Sequence, residues 1–237
     1  NDALYESKYN KWSIYYNESP DWEALPWIIE ECHKRGIEFH AWMNPYRVRN
    51  GQNDLTNLAK EFPSNNMASD PDNLLQGANS VILNPGIPKV KSWLVDVCME
   101  VVEKYDIDAI HFDDYFYDYK VDDTTTRKLY NTEGLSLGDF RRKQVDDFIE
   151  SLSKNIRAYN EKNGKRVQLG ISPSGVYLSG DGKVTYNENG DAITNGSLTT
   201  TSYIHYGDYL YSDTLKWINN EWIDYILPQC YWSIEHP

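Results

Sequence analysis

Apolar residues along the chain alternate between helical spacing and short continuous runs. Over residues 21–35, Leu25, Ile28, Ile29 and Cys32 form one helical stripe. Lys34 and Arg35 suit the negative end of the helix dipole, and Gly36 supplies a C-terminal stop. Residues 37–44 then read as a strand closed by Pro45. A second helix is predicted over 88–104, with Val90, Trp93, Leu94, Val97, Cys98 and Val101 on its apolar face and Pro88 in its first turn. The strand 108–113 follows. A third helix begins at Ser136, with Asp139 three residues on in a capping-box-like start. Its core face is Leu137, Phe140, Val145, Phe148, Ile149, Leu152 and Ile156. The strand 167–172, a helix over 213–220 and a strand over 223–231 complete the series.

Helices alternating with short buried strands imply parallel βαβ units. The loops after the strands are long and polar. The largest, 178–209, carries two short β-like runs, 183–186 and 191–194, around Asn187-Glu188-Asn189-Gly190, and reads as a protruding hairpin. The loops before the strands are short, as at 104–107. This asymmetry fits a (β/α) barrel, whose βα loops carry function. The competing doubly wound sheet binds nucleotides through a Gly-rich first turn, and no strand–helix junction here has one. Only four strong strands are present, whereas a barrel needs eight. The stretches 12–16 and 81–83 are too short and too loop-flanked to fill the gap.

With 237 residues the chain is long enough for one large domain with a sizeable core. A formal net charge of −13 argues against a nucleic-acid partner, which needs a basic footprint. The 19 Tyr and 8 Trp against 6 Phe favour rings with a polar handle, which suits stacking on sugars, although a Tyr-rich proteome explains the bias equally well. Cys32, Cys98 and Cys230 are widely spaced without a CxxC, so a zinc site is not expected, and no motif calls for another metal or a cofactor. The first two fall on helix stripes and the third inside a predicted strand, so all three are expected to be buried free thiols. No stretch resembles a signal peptide or a membrane span.

Candidate chemistry lies at the C-terminal strand ends, where barrels collect catalytic groups. In Ile110-His111-Phe112-Asp113-Asp114-Tyr115, alternation places His111, Asp113 and Tyr115 on one face and Asp114 on the other, unless the chain has already turned. Asp113 is the leading catalytic carboxylate. Asp114 is the second, as an acid or pKa modulator, and reads equally well as a structural cap for the next loop. Glycoside hydrolysis typically needs a second carboxyl across the cleft; Asp208, Asp213, Glu221 and Glu235 are nearest in sequence to the last strand. His40, Asn44, Tyr46, Arg47, His111, Tyr115, Ser172, Gln229, Trp232 and Glu235 make up the expected substrate-binding shell, since amide, imidazole and guanidinium groups grip hydroxyls and rings stack on sugars. Tyr46 and Trp232 read as readily as caps over the barrel.

The segments His40-Ala41-Trp42-Met43-Asn44-Pro45-Tyr46-Arg47, Leu83-Asn84-Pro85-Gly86-Ile87-Pro88, Ile110 through Tyr117, Gly170-Ile171-Ser172-Pro173, and Trp222 through Trp232 closely resemble glycosyl hydrolase-like family ten. The resemblance implies a (β/α)₈ TIM barrel and cleavage of O-glycosidic bonds in bacterial glycans, one branch of the family cutting peptide-stripped peptidoglycan. It also implies an exported protein, periplasmic or at the cell surface and often lipid-anchored. Set against the family, the chain is expected to hold strands three to six of the eight, as a single catalytic domain over 1–237 truncated at both ends. Ser174 stands where the family suggests a bulky Phe, and Glu235 where small residues are common. A non-catalytic glycan-binding barrel is the alternative. A metal-dependent hydrolase using His40, His111 and Asp113 is a third reading, weakened by the presence of only five His and no H-x-H.

Overall fold

The computed structural model describes residues 3–13, 21–199, 204–207 and 210–233. In chain order the helices are α1 (Ala24–His33), α2 (Leu55–Ala59), α3 (Pro88–Lys104), α4 (Thr124–Tyr130), α5 (Leu137–Asn163) and α6 (Thr214–Asn219). The strands are β1 (His40–Met43), β2 (Arg47–Asn50), β3 (Leu74–Gln76), β4 (Ser80–Leu83), β5 (Ala109–Asp113), β6 (Gln168–Ser172), β7 (Val184–Tyr186), β8 (Ala192–Thr194) and β9 (Tyr225–Ile226).

The central sheet has the order β1-β5-β6-β9, and every pairing in it is parallel. These are the four strands that the apolar runs predict. The sheet is open along the described residues, with β1 and β9 at its edges. Its register puts Trp42 beside His111, His111 beside Gly170, Gly170 beside Tyr225, and Asp113 beside Ser172. Side chains alternate across a strand, so one face carries Ile110, Phe112, Leu169 and Ile171, all essentially inaccessible. That face packs into the stripes of α3 and α5, where Phe112 meets Phe148 at 5.8 Å between ring centroids. Burying each such side chain stabilises the fold by roughly 1.5–3 kcal/mol. The opposite face carries His40, Trp42, His111, Asp113, Ser172 and Tyr225, the polar face that a barrel would enclose.

The helix α3 spans its predicted range, and α5 starts where predicted. Val90, Trp93, Leu94, Val97, Cys98 and Val101 of α3 are all buried. In α5 the Ser136 hydroxyl caps the helix by accepting from the Asp139 backbone N–H, and Gly164 ends it in the left-handed region at φ 62°. Of the expected α5 face only Leu137 is exposed. Glu100, buried on α3, accepts from the Tyr5 hydroxyl (3.2 Å), the Ser7 hydroxyl (2.6 Å) and the Lys8 backbone N–H (2.8 Å), which fastens residues 3–13 to the helix.

Residues 81–83 belong to β4, in a separate antiparallel sheet of order β2-β4-β3. The hairpin expected within 178–209 is β7–β8, paired antiparallel. Positions 14–16 of the 12–16 stretch lie outside the described residues.

Several expectations are corrected. In α1 only Ile29 of the predicted stripe is buried, and Ile28 is exposed. The strand expected over 223–231 shrinks to Tyr225–Ile226. Pro228 has no N–H to add to a ladder, and among the described residues β9 has a neighbour on one side only. Pairing persists beyond it as single bonds, from Leu227 N–H to the Ile171 carbonyl and from Gln229 N–H to the Pro173 carbonyl, each 2.8 Å. With the strand so short, Cys230 is exposed rather than buried, and Cys32 is half-buried; Cys98 is buried as expected, which pushes its thiol pKa up.

Candidate active site

Asp113 closes β5, the strand flanked by β1 and β6, and sits half-buried on the polar face. The Gln229 side-chain N–H₂ bridges two groups, donating to Asp113 Oδ1 at 3.2 Å and to the Ser172 carbonyl at 2.6 Å. Burial raises the Asp113 pKa above the ordinary carboxylate value; His111, the Trp42 side chain and Arg47 oppose that shift. A carboxyl held between desolvation and cationic or donor neighbours is typical of catalytic acids and bases.

The Trp42 and Tyr115 side chains lie beside it. Trp42, Tyr115 and Trp232 are all exposed, Trp42 the most at 62%. The Arg47 guanidinium lies over the Tyr115 ring at 4.4 Å, and both line a cavity of about 240 Å³ with Tyr117 and Asp118. The Trp232 ring packs against Gly175, where a Cβ would collide with it. Asn44 lines a larger cavity of about 690 Å³ beside β1 and α3.

Asp114 points elsewhere. It is 3% exposed and accepts the Ser174 backbone N–H at 2.5 Å, which pins the loop after β6. Burial pushes its pKa up to about 6, with Ser174 opposing and the Asp113 charge adding to the rise. Alternation predicts this divergence of the two carboxyls; the loop that the Asp114 side chain holds is the one after β6, not the one after its own strand as the sequence suggested. Ser174, at the position expected to be bulky, also gives its carbonyl to His205 Nδ1 (2.8 Å); His205 Nε2 meets the Thr214 hydroxyl (2.7 Å), and burial lowers the imidazole pKa to about 4.

His111 and His40 lie on the same face as Asp113, one and two layers lower. Tyr225 stands between them, its hydroxyl 3.0 Å from His111 Nδ1 and 2.7 Å from His40 Nδ1. Among the described residues no group of three or more His, Cys, Asp or Glu is placed to hold a metal ion.

Two members of the expected shell take different places. Tyr46 is fully buried between Phe116 and Phe148, with edge-on ring contacts at 6.2 and 5.4 Å, and cannot reach a substrate. The chain turns inward after Pro45 to start β2, which carries Tyr46 under the sheet. The Ser172 hydroxyl is committed to the Leu227 carbonyl at 2.8 Å, so it ties down the extension of β9. Glu235 and Asp208 lie outside the described residues. Trp42 and Tyr225 were absent from the expected shell. Trp42 could have been found from its place on the His40 face of β1. The signal for Tyr225 was Gly170, because a Cβ there would overlap the Tyr225 ring.

A half-buried carboxylate beside Trp42 and Tyr115 at parallel strand ends agrees with the sequence match. Residues 1–236 match the family Glycosyl hydrolase-like 10. The chain belongs to this family. It is 37% identical over 243 residues to Glycosyl hydrolase YngK of Bacillus subtilis (strain 168), covering 98% of this chain and 44% of that protein. It is 31% identical to Glycosyl hydrolase DigH of Escherichia coli (strain K12), covering 97% of this chain and 52% of that protein. The chain therefore spans about half the length of these relatives. Among solved structures, the galactosidase domain of alpha-galactosidase-sucrose kinase is similar at a TM-score of 0.40 and 18% identity, over 64% of this chain and 18% of that one. Among the described residues no helix is long and apolar enough to cross a membrane.

Proposed function

We propose that this member of Glycosyl hydrolase-like 10 forms the catalytic face of a (β/α)₈ glycosidase barrel, with Asp113 as its working carboxylate. The observation that carries this reading is Asp113 itself, oriented by Gln229 at the end of the strand between β1 and β6, with its pKa raised and the exposed Trp42 and Tyr115 side chains beside it. Trp42, Tyr115 and Trp232 would stack on sugar rings, and Arg47 and Gln229 would hold hydroxyl or carboxyl groups. The substrate class proposed is an amino-sugar glycan of the bacterial cell wall, in particular peptidoglycan strands stripped of peptide. The proposed location is accordingly the envelope, outside the cytoplasm. The glycosyl hydrolase names of the relatives support the reaction class.

Asp113→Asn is expected to lose activity on denuded glycan strands by about 10²–10⁴-fold, the usual worth of a positioned acid or base. Its circular dichroism should match the wild type. Full activity in that variant rules out the assignment.

One observation favours a second reading. Asp114 faces away from Asp113, and glycoside hydrolysis typically pairs two carboxyls across a cleft. A glycan-binding barrel would need only the aromatic face. Saturable binding of denuded strands without new reducing ends would select that reading, and release of products would eliminate it.

A further inference from the structure

A hydrogen-bonded line of side chains runs along the polar face and leads toward Asp113. The Glu38 carboxylate lies 3.0 Å from His40 Nε2, His40 Nδ1 lies 2.7 Å from the Tyr225 hydroxyl, and that hydroxyl lies 3.0 Å from His111 Nδ1. His111 and Asp113 then share one face of β5 two residues apart. The line joins β9 to β1 across two intervening strands. It exists because Gly170 leaves room for the Tyr225 ring to lie over β6, stacked within 16° of the His111 plane.

The donors and acceptors leave one consistent arrangement of protons for neutral rings. An ionised carboxylate only accepts, so His40 carries its proton on Nε2. His40 Nδ1 is then an acceptor and takes the Tyr225 O–H. The Tyr225 oxygen, its O–H donated to His40, accepts from His111 Nδ1–H. The remaining nitrogen of His111, Nε2, is left with a lone pair. We propose that Glu38, His40 and Tyr225 are positioning residues that fix His111 as its Nδ1–H tautomer, so that Nε2 presents an acceptor beside Asp113 to a sugar hydroxyl.

The surroundings agree. Around His111 the titratable groups are Asp113 on its own strand, His40 on β1 with Glu38 before that strand, and Tyr225 on β9; β6 contributes only Gly170 at that level. Burial, supported by His40, lowers the His111 pKa against the pull of Asp113, which favours the neutral ring. Burial raises the Tyr225 pKa to about 12, so the hydroxyl keeps its proton.

The tautomer claim stands on the hydrogen bonds; the hydroxyl-accepting role rests on the glycosidase reading. Nitrogen-15 histidine spectra at pH 8 separate the two. The expected result is a protonated Nδ1 and bare Nε2 for His111, with the reverse for His40, in wild type and in Asp113→Asn alike. In Tyr225→Phe, which keeps the ring over Gly170, His111 should move toward the Nε2–H form that free imidazole prefers. A wild-type His111 protonated on Nε2, a doubly protonated His40, or an unchanged His111 in Tyr225→Phe overturns the proposal. With the tautomer confirmed, Tyr225→Phe should lower kcat/KM on denuded glycan about tenfold. An unchanged kcat/KM overturns the link to the site, whereas activity retained by Asp113→Asn defeats only the assignment of Asp113 as the working carboxylate.

Discussion

Asp114 offers a stability test with a definite sign. Its carboxyl is buried, and its pKa in the folded chain is about 6 against an ordinary 3.8. A pKa raised by folding means that the native state holds its proton to higher pH than the unfolded chain does. The contribution to stability is therefore whole below about pH 4, is lost as pH rises toward 6, and stays lost above it. A shift of about two units corresponds to about 3 kcal/mol. Asp114→Asn removes the charge and keeps an oxygen to accept the Ser174 N–H. Any constant cost of the new amide is present at every pH, so the informative quantity is the change in the variant's stability relative to wild type between pH 4 and pH 7.5. Urea unfolding at a series of pH values should show the variant gaining about 3 kcal/mol on the wild type across that interval, most of it between pH 4 and 6. A relative stability that does not move with pH, or that moves against the variant, refutes the claim that this carboxylate is charged and desolvated in the fold. If Asp114 is also the proton donor of the reaction, the same variant will lose activity while gaining on the wild type in stability as pH rises.

Three further substitutions probe the frame around the site. Arg141→Met should cost roughly 3–5 kcal/mol, because Asp123 would remain buried without the two guanidinium hydrogen bonds of 2.9 and 2.7 Å; pairing it with Asp123→Asn should restore much of that loss in urea melts. Gly170→Ala should destabilise by about 1–3 kcal/mol through overlap with the Tyr225 ring, and should break the contact between Tyr225 and His111, seen as a shift of the His111 ring resonances. Trp217→Phe removes the indole donor 2.7 Å from the buried Asp146 and leaves Lys216 as its partner; thermal or urea unfolding should register a loss of about 1–3 kcal/mol.

The helices α3 and α5 and the strand β5 were legible because their information is local. Periods of 3.6 and 2 place Val90, Leu94, Phe148 and Leu152 in the core and set His111 and Asp113 on one face, whatever the rest of the chain does. The split between Asp113 and Asp114 follows from the same alternation. Other outcomes depend on partners far away in sequence. Tyr46 has the same local pattern as a rim aromatic, and its burial is decided by Phe116 and Phe148. Cys230 looked like a strand residue, but its strand ends at Ile226, where an edge position and Pro228 leave too few hydrogen bonds to continue. Tyr225 joins His40 across 185 positions and His111 across 114, a contact made possible by the parallel register of four strands. By itself the sequence determined which residues could share a face; the tertiary structure decided which faces met, because burial and hydrogen bonding between distant segments have no period to read.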